Sequence, residues 1–251
     1  MKAQSIRGVG AFAALVAIAL AVMLSNSPRV RAQDNNNQGN NNQVSNDEQA
    51  RIQIGFQVAP VPLNLAGKNR DLVGLGSYLV NAVNDCNACH NGGGPPNFEY
   101  LAGHNPYNGQ PKVLDPSVYL AGGQDFGPAG PSPSPDIITR NLTPDKTGLP
   151  EGGNTFAQFM EIIRHGTDPD HLHPNCSATR TTNCIPASTG IDGNLLQIMP
   201  WPYYQGMTDH DLLAIYTYLS AIPCIPGPAK PSDLPPAMQY AFQELHHDCG
   251  H

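Results

Sequence analysis

The chain has 251 residues, with 20 acidic against 13 basic side chains and a formal net charge of −7. That balance argues against nucleic acid or an anionic lipid surface as a partner. With 25 glycines and 25 prolines, long stretches are unsuited to regular structure, and the length bounds the folded part to one moderately large domain.

Lys2 and Arg7 precede an apolar and small-residue run from Gly8 to Leu24, and Val30-Arg31-Ala32 follows as a small-x-small site. Residues 1–32 read as a secretory signal cleaved after Ala32. The alternative is an uncleaved membrane anchor, since basic residues flank both ends of the run. The segment holds four basic residues and no acidic one, so the remainder has 9 basic against 20 acidic side chains, a net −11. The chain is then periplasmic or secreted, and touches a membrane only if the segment stays attached. Residues 33–68 read as a disordered tether. Gln33–Gln49 is mostly Asn and Gln with little to bury, and Pro60 and Pro62 oppose a long helix after it.

Leu72, Leu75, Leu79 and Val83 recur at helical spacing and predict a first helix over about 69–84. Gly76 lies on or near that stripe, where a missing side chain lets another helix approach. The helix runs into Cys86-Asn87-Ala88-Cys89-His90. Two cysteines three apart share one face of a helical turn, and each thiol can add across one vinyl group of a haem. His90 is then left beneath the ring to bind iron. The spacing CxxCH reads as a c-type haem attachment site, implying one covalent haem c. A zinc site would need two more clustered ligands, and a thioredoxin-like pair would need a βαβ context; neither is visible.

Residues 91–136 hold nine prolines and nine glycines. They predict an ordered but irregular excursion with a short hairpin around Val118–Phe126, covering a haem edge or serving as a partner-binding loop. A second helix is punctuated by Thr155 as cap, Gln158 completing a capping box and Gly166 as stop, with Phe156, Phe159, Met160 and Ile163 as its apolar stripe. Met160 is read as core. A third helix starts at Thr208, with Asp211 at the capping-box position, presents Leu212, Ile215, Tyr216 and Leu219, and stops before Pro223. Its aromatics are the natural partners of the face around Gly76. A short last helix is expected over about Pro236–His246.

Four further cysteines, Cys176, Cys184, Cys224 and Cys249, are an even number for an oxidising compartment. Three pairings are open, and proximity favours Cys176–Cys184 and Cys224–Cys249, with a metal site as the alternative. The His246, His247, His251 cluster is a minor metal-binding candidate.

For the second axial position Met199 is the candidate. It stands in Gln197-Ile198-Met199-Pro200-Trp201-Pro202-Tyr203-Tyr204, where flanking prolines stiffen a non-helical loop. Trp201, Tyr203 and Tyr204 offer flat surfaces to a porphyrin. Met207 is the rival, followed by His171 and His173 in a loop. Arg140 is a candidate partner for a propionate. With imidazole and thioether on the iron no coordination site is free, which favours an electron carrier over an enzyme. A haem enzyme or gas sensor with an open or displaceable sixth ligand is the other reading, and a structural role for the Asn-rich segment is a third.

The order of these motifs resembles a known family. The first helix with CxxCH, the Met-Pro loop and the aromatic last helix look like class I cytochrome c. Ile138-Thr139-Arg140-Asn141-Leu142-Thr143-Pro144-Asp145-Lys146-Thr147-Gly148-Leu149, followed by Met199-Pro200-Trp201, resembles the single-haem modules in cytochrome subunits of periplasmic alcohol and sugar-acid dehydrogenases. The resemblance covers residues 69–226, with 227–251 as a tail packing on that domain. It implies an all-α class I cytochrome c fold, three core helices around one covalent haem, with long irregular loops and a disulfide-tied tail. It also implies redox partner proteins, a dehydrogenase or a terminal oxidase. Those subunits often carry three such modules, whereas this chain has one CxxCH.

Overall fold

Asn69 caps the helix that leads into the cysteine motif, its side-chain oxygen accepting from the backbone N–H groups of Asp71 at 2.9 Å and Leu72 at 3.3 Å. The computed structural model describes residues 37–128, 136–167, 192, 194–227 and 246–250. It divides into a unit ending at Gln43 and a unit from Val44 to His251. The second unit holds the core and the site.

The elements are helix α1 (Asn37–Val58), helix α2 (Arg70–Tyr78) continued by a π-helical turn (Leu79–Val83), and helix α3 (Cys86–His90). Strands β1 (Asp125–Pro128) and β2 (Asp136–Ile138) follow, then helices α4 (Phe156–His165), α5 (Trp201–Tyr204) and α6 (Asp209–Leu219). The chain is helix-rich with few strands. Among the described residues the all-α expectation gives way at β1 and β2, which pair antiparallel with Asp125 opposite Ile138. The hairpin overlaps the expected Val118–Phe126 at Asp125 and Phe126 and otherwise lies beyond it. Instead, Val118 through Ala121 form a buried turn in which the Ala121 N–H donates to the Val118 carbonyl at 3.2 Å.

The core forms where α2 crosses α6. A Cβ on Gly76 would run into the carbonyl of Ala214 and stand 2.7 Å from the Tyr218 Cβ, so the two backbones touch because residue 76 has no side chain. Val73, Leu75, Leu79 and Val80 meet Leu212, Ile215, Tyr218 and Leu219 there, with Phe159 and Ile163 of α4 in the same cluster. Each such side chain contributes on the order of 2 kcal/mol through removal from water.

Over residues 37–68 the tether expectation gives way, while residues 33–36 lie outside the described residues. α1 is helical to Val58, Ile52 and Val61 are core residues, and a Cβ on Gly55 would collide with the Gly74 carbonyl. The Ser77 hydroxyl also donates to the Gly55 carbonyl at 2.6 Å. A polar composition therefore hides a helix that docks through a few apolar residues and a glycine. It ends just before Pro60, which lacks the N–H that continuation requires.

α4 has both halves of its capping box, Thr155 with Gln158, and closes on Gly166 in the left-handed conformation. α6 is capped by Thr208, whose hydroxyl accepts from the Asp211 N–H at 3.1 Å. Among the described residues no helix is long and apolar enough to cross a membrane. The signal or anchor of residues 1–32, the Cys176 and Cys184 pair, His171, His173, His251 and most of the expected helix over 236–246 lie outside the described residues. Cys224 and Cys249 are joined, with their Cα atoms 5.6 Å apart.

Candidate haem-attachment site

The π-helical turn Leu79–Val83 ends α2 one turn before the motif. Asp85 then takes left-handed angles, φ 46°, and the chain re-enters a helix at Cys86. This break sets α3 as a separate short helix. Cys86 and Cys89 are free thiols, Cys86 half-buried and Cys89 exposed. Burial, with the Asp85 carboxylate adding to it, pushes the Cys86 thiol up to about 12. Burial, Asp85 and Glu99 also raise Cys89. Both are thus held as neutral thiols.

His90 Nδ1 lies 2.8 Å from the Arg140 carbonyl oxygen. A carbonyl only accepts, so Nδ1 carries the proton and donates, and Nε2 keeps its lone pair. Burial lowers the imidazole pKa despite the opposing pull of that carbonyl, which keeps the ring neutral. The donor set fits a c-type haem: two unpaired thiols on one short helix and a neutral imidazole with one free nitrogen.

Residues of the excursion lock this helix. Asn87 is 2% exposed, donates to the Glu99 carboxylate at 2.7 Å and accepts from the Leu120 N–H at 2.8 Å. Asn91 donates to the carbonyls of Asn87 at 3.0 Å and Ala88 at 3.1 Å, and the Gly122 N–H donates to the His90 carbonyl at 2.7 Å. The irregular segment thus fixes the motif helix through buried hydrogen bonds. Sequence reading did not single out Asn87, Asn91 or Glu99. The only signal was an amide between two cysteines.

Behind the motif, Asn81, Tyr119 and Tyr218 close a hydrogen-bonded ring. Tyr119 Oη lies 2.6 Å from Asn81 Oδ1 and 2.8 Å from Tyr218 Oη, and Asn81 Nδ2 lies 3.2 Å from Tyr218 Oη. Asn81 Oδ1 only accepts, so Tyr119 spends its single proton there and Tyr218 must donate to Tyr119. Burial raises both phenol pKa values, and both remain neutral.

The Met199 loop is held from the end of α4. The Leu196 N–H donates to the Gly166 carbonyl at 2.7 Å, and the Trp201 indole N–H donates to Leu196 at 3.2 Å. The Trp201 ring lies against Gly166, where a Cβ would strike it. On the far side Arg164 bonds the Gln205 carbonyl and lies 2.6 Å from the Asp209 carboxylate. Between these anchors Ile198 is left-handed at φ 67°, strained for a β-branched residue, and the Met199 N–H donates to Gln197 at 2.7 Å.

Met199 packs half-buried on the cluster that also receives Cys86, Met160, Tyr204 and Met207. Tyr204, not Tyr203, is the aromatic turned toward the motif. Its phenol pKa is raised by burial and then by Cys86 and Cys89, whereas Tyr203 is 84% exposed to solvent. Trp201 braces α4. Arg140 meets the site through its main-chain carbonyl, an acceptor with no sequence signature. Among the described residues no group of three or more His, Cys, Asp or Glu side chains is gathered to hold a metal ion.

No family model matches the chain and no solved structure matches it. Over 172 residues it is 28% identical to the fructose dehydrogenase cytochrome subunit of Gluconobacter japonicus, covering 68% of this chain and 25% of that protein. The chain is similar to dehydrogenase cytochrome c subunits. It is 27% identical over 173 residues to the gluconate 2-dehydrogenase cytochrome c subunit of Pantoea cypripedii, covering 66% and 27% respectively. It is 28% identical over 194 residues to the cytochrome c subunit of the quinone-dependent alcohol dehydrogenase of Gluconacetobacter polyoxogenes, covering 73% and 31%. The chain thus spans between a quarter and a third of the length of these relatives.

Proposed function

We propose that the chain is an exported c-type cytochrome that carries single electrons between redox proteins, one of them a dehydrogenase. The observation that carries this reading is the pairing of two free thiols on α3 with an imidazole whose Nδ1 is already committed to Arg140. The similarity to dehydrogenase cytochrome subunits supports it. The match to about a quarter of a longer relative is consistent with one haem module, as is the single CxxCH.

Haem bound there supplies one-electron exchange between ferric and ferrous iron. In this reading Cys86 and Cys89 would hold the group covalently, and His90 Nε2 and the Met199 thioether would bind its iron, with Pro200 closing the Met199 loop ahead of α5. A thioether favours the ferrous state and raises the potential. The negative surface suits a partner with a basic face. Extraction of the unfolded protein with acidified organic solvent tests the assignment. The chromophore is expected to stay on the polypeptide, and Cys86→Ala with Cys89→Ala is expected to release it. Free extraction from the unaltered protein refutes it.

A further inference from the structure

The segment that presents the Arg140 carbonyl to His90 is itself gripped from the C-terminal side. Asn141 Nδ2 donates to the Ile225 carbonyl at 2.8 Å, and the Ile225 N–H donates to Thr143 Oγ1 at 3.2 Å. Thr143 Oγ1 lies 2.7 Å from Asn141 Oδ1, which only accepts, so the hydroxyl proton is spent there and its lone pair is left for Ile225. One residue, Ile225, is thereby held at both its N–H and its C=O. The two side chains that hold it are 1% and 0% exposed. Ile225 adjoins Cys224, whose disulfide to Cys249 brings back residues 246–250, where the Lys146 N–H donates to Asp248 at 2.6 Å.

We propose that Asn141 and Thr143 are positioning residues for His90: by clamping Ile225 they fix the segment whose Arg140 carbonyl accepts the hydrogen bond from Nδ1–H, and so set the donor strength of the imidazole. This rests on the haem reading above. A hydrogen bond from Nδ1–H to an acceptor makes the opposite nitrogen a stronger donor, which favours ferric iron. Loosening the clamp lengthens that bond and favours ferrous iron. The segment is also held at Leu142, whose N–H donates to Leu120 at 2.9 Å. Loss of the clamp therefore shifts the carbonyl without unfolding the loop.

The test is Thr143→Val in the haem-loaded protein, which keeps the shape and removes the hydroxyl, with Thr143→Ser as the conservative variant. Thr143→Val is expected to shift the ferric–ferrous equilibrium about threefold toward ferrous, or roughly 30 mV at 59 mV per tenfold for one electron. Exchange of the His90 Nδ1 proton should accelerate about tenfold, and Thr143→Ser should restore both. A lowered melting temperature with potential and exchange unchanged overturns the proposal. If Thr143→Val does not fold, exchange in the unaltered protein decides. The Ile225 N–H and the His90 Nδ1–H should then share one opening reaction with a common denaturant dependence, and unrelated openings overturn it. Failure of the haem reading shows separately, as an unaltered protein without covalent haem, and overturns both.

Discussion

The side-chain amide of Asn87 stands between the two motif cysteines and donates to the carboxylate of Glu99 at 2.7 Å, both residues buried. A short helix of five residues has little stability of its own. Its geometry is therefore imposed by the excursion, through Glu99 on one side of the amide and the Leu120 N–H on the other.

Asn87→Ala takes the amide donor from a buried carboxylate and leaves the buried Leu120 N–H without its acceptor. The expected loss is about 3 kcal/mol in denaturant unfolding, since unsatisfied buried groups cost roughly 1–3 kcal/mol each and charged ones more. A loss below about 0.5 kcal/mol would mean that α3 does not depend on this bond.

The proton order in the Asn81–Tyr119–Tyr218 ring makes a second expectation. Tyr119→Phe orphans Asn81 Oδ1 and also removes the acceptor for the Tyr218 proton, whereas Tyr218→Phe takes one acceptor from Asn81 Nδ2, which keeps the Ser77 carbonyl at 3.0 Å, and removes one donor to Tyr119. Each single change should cost about 1–2 kcal/mol. The double change should cost clearly less than the sum, with a coupling energy of at least about 0.5 kcal/mol in a double-mutant cycle. Additive losses would show that the ring is not closed in solution.

The Cys224–Cys249 bond closes a loop with a sequence separation of 25. Loop-closure entropy alone assigns it about 3.5 kcal/mol. Replacing both cysteines by alanine should lower stability by up to that amount, read by urea unfolding. Peptide mapping of the unreduced protein should recover the two cysteines linked.

His247 is 5% exposed, and among the described residues neither ring nitrogen has a hydrogen-bond partner. Burial lowers its pKa, against the pull of the Asp145 carboxylate and the Thr143 and Pro144 carbonyls, with His246 adding to the lowering. The folded state therefore resists protonation while the unfolded state accepts it near pH 6.5. The contribution of His247 is complete above that pH. It is lost as pH falls toward the folded pKa, by at most about 1.4 kcal/mol per pH unit. His247→Phe should flatten the fall in unfolding free energy below pH 6.5. An unchanged pH profile would place the dependence elsewhere.

Much of this was legible in the sequence because the signals are local. The Thr155–Gln158 box, the Gly166 stop and the Thr208 cap are short-range geometry, and Gly76 stood on the stripe that meets α6. What stayed hidden depends on distant partners. α1 looked like a tether because its polar residues outnumber the Ile52 and Gly55 that dock it. Tyr204 and Tyr203 differ only in which way one turn faces. Arg140 stands out in the sequence for its guanidinium, whereas it meets His90 through a carbonyl that any residue there would possess.

The axial ligand separates a carrier from a catalyst, and Met199 and Met207 both lie half-buried on the same cluster. The anchoring of their backbones distinguishes them. Met199 follows the left-handed Ile198 and is bracketed by the Leu196–Gly166 and Trp201–Leu196 bonds, so the loop holds a strained turn that packing alone does not require. Met207 precedes the Thr208 cap of α6, and its N–H donates to Tyr204 in an ordinary turn at 2.9 Å. Met199→Ala should therefore abolish the weak far-red band of a methionine–iron bond in the oxidised protein and lower the potential as a soft ligand is lost. Met207→Ala should leave the band and cost only packing, about 2–3 kcal/mol at most for a half-buried side chain. The reverse pattern would move the ligand to Met207. An unaltered protein that lacks the band and binds carbon monoxide readily would instead carry an open sixth position, and the electron-carrier reading would give way to a haem enzyme or gas sensor.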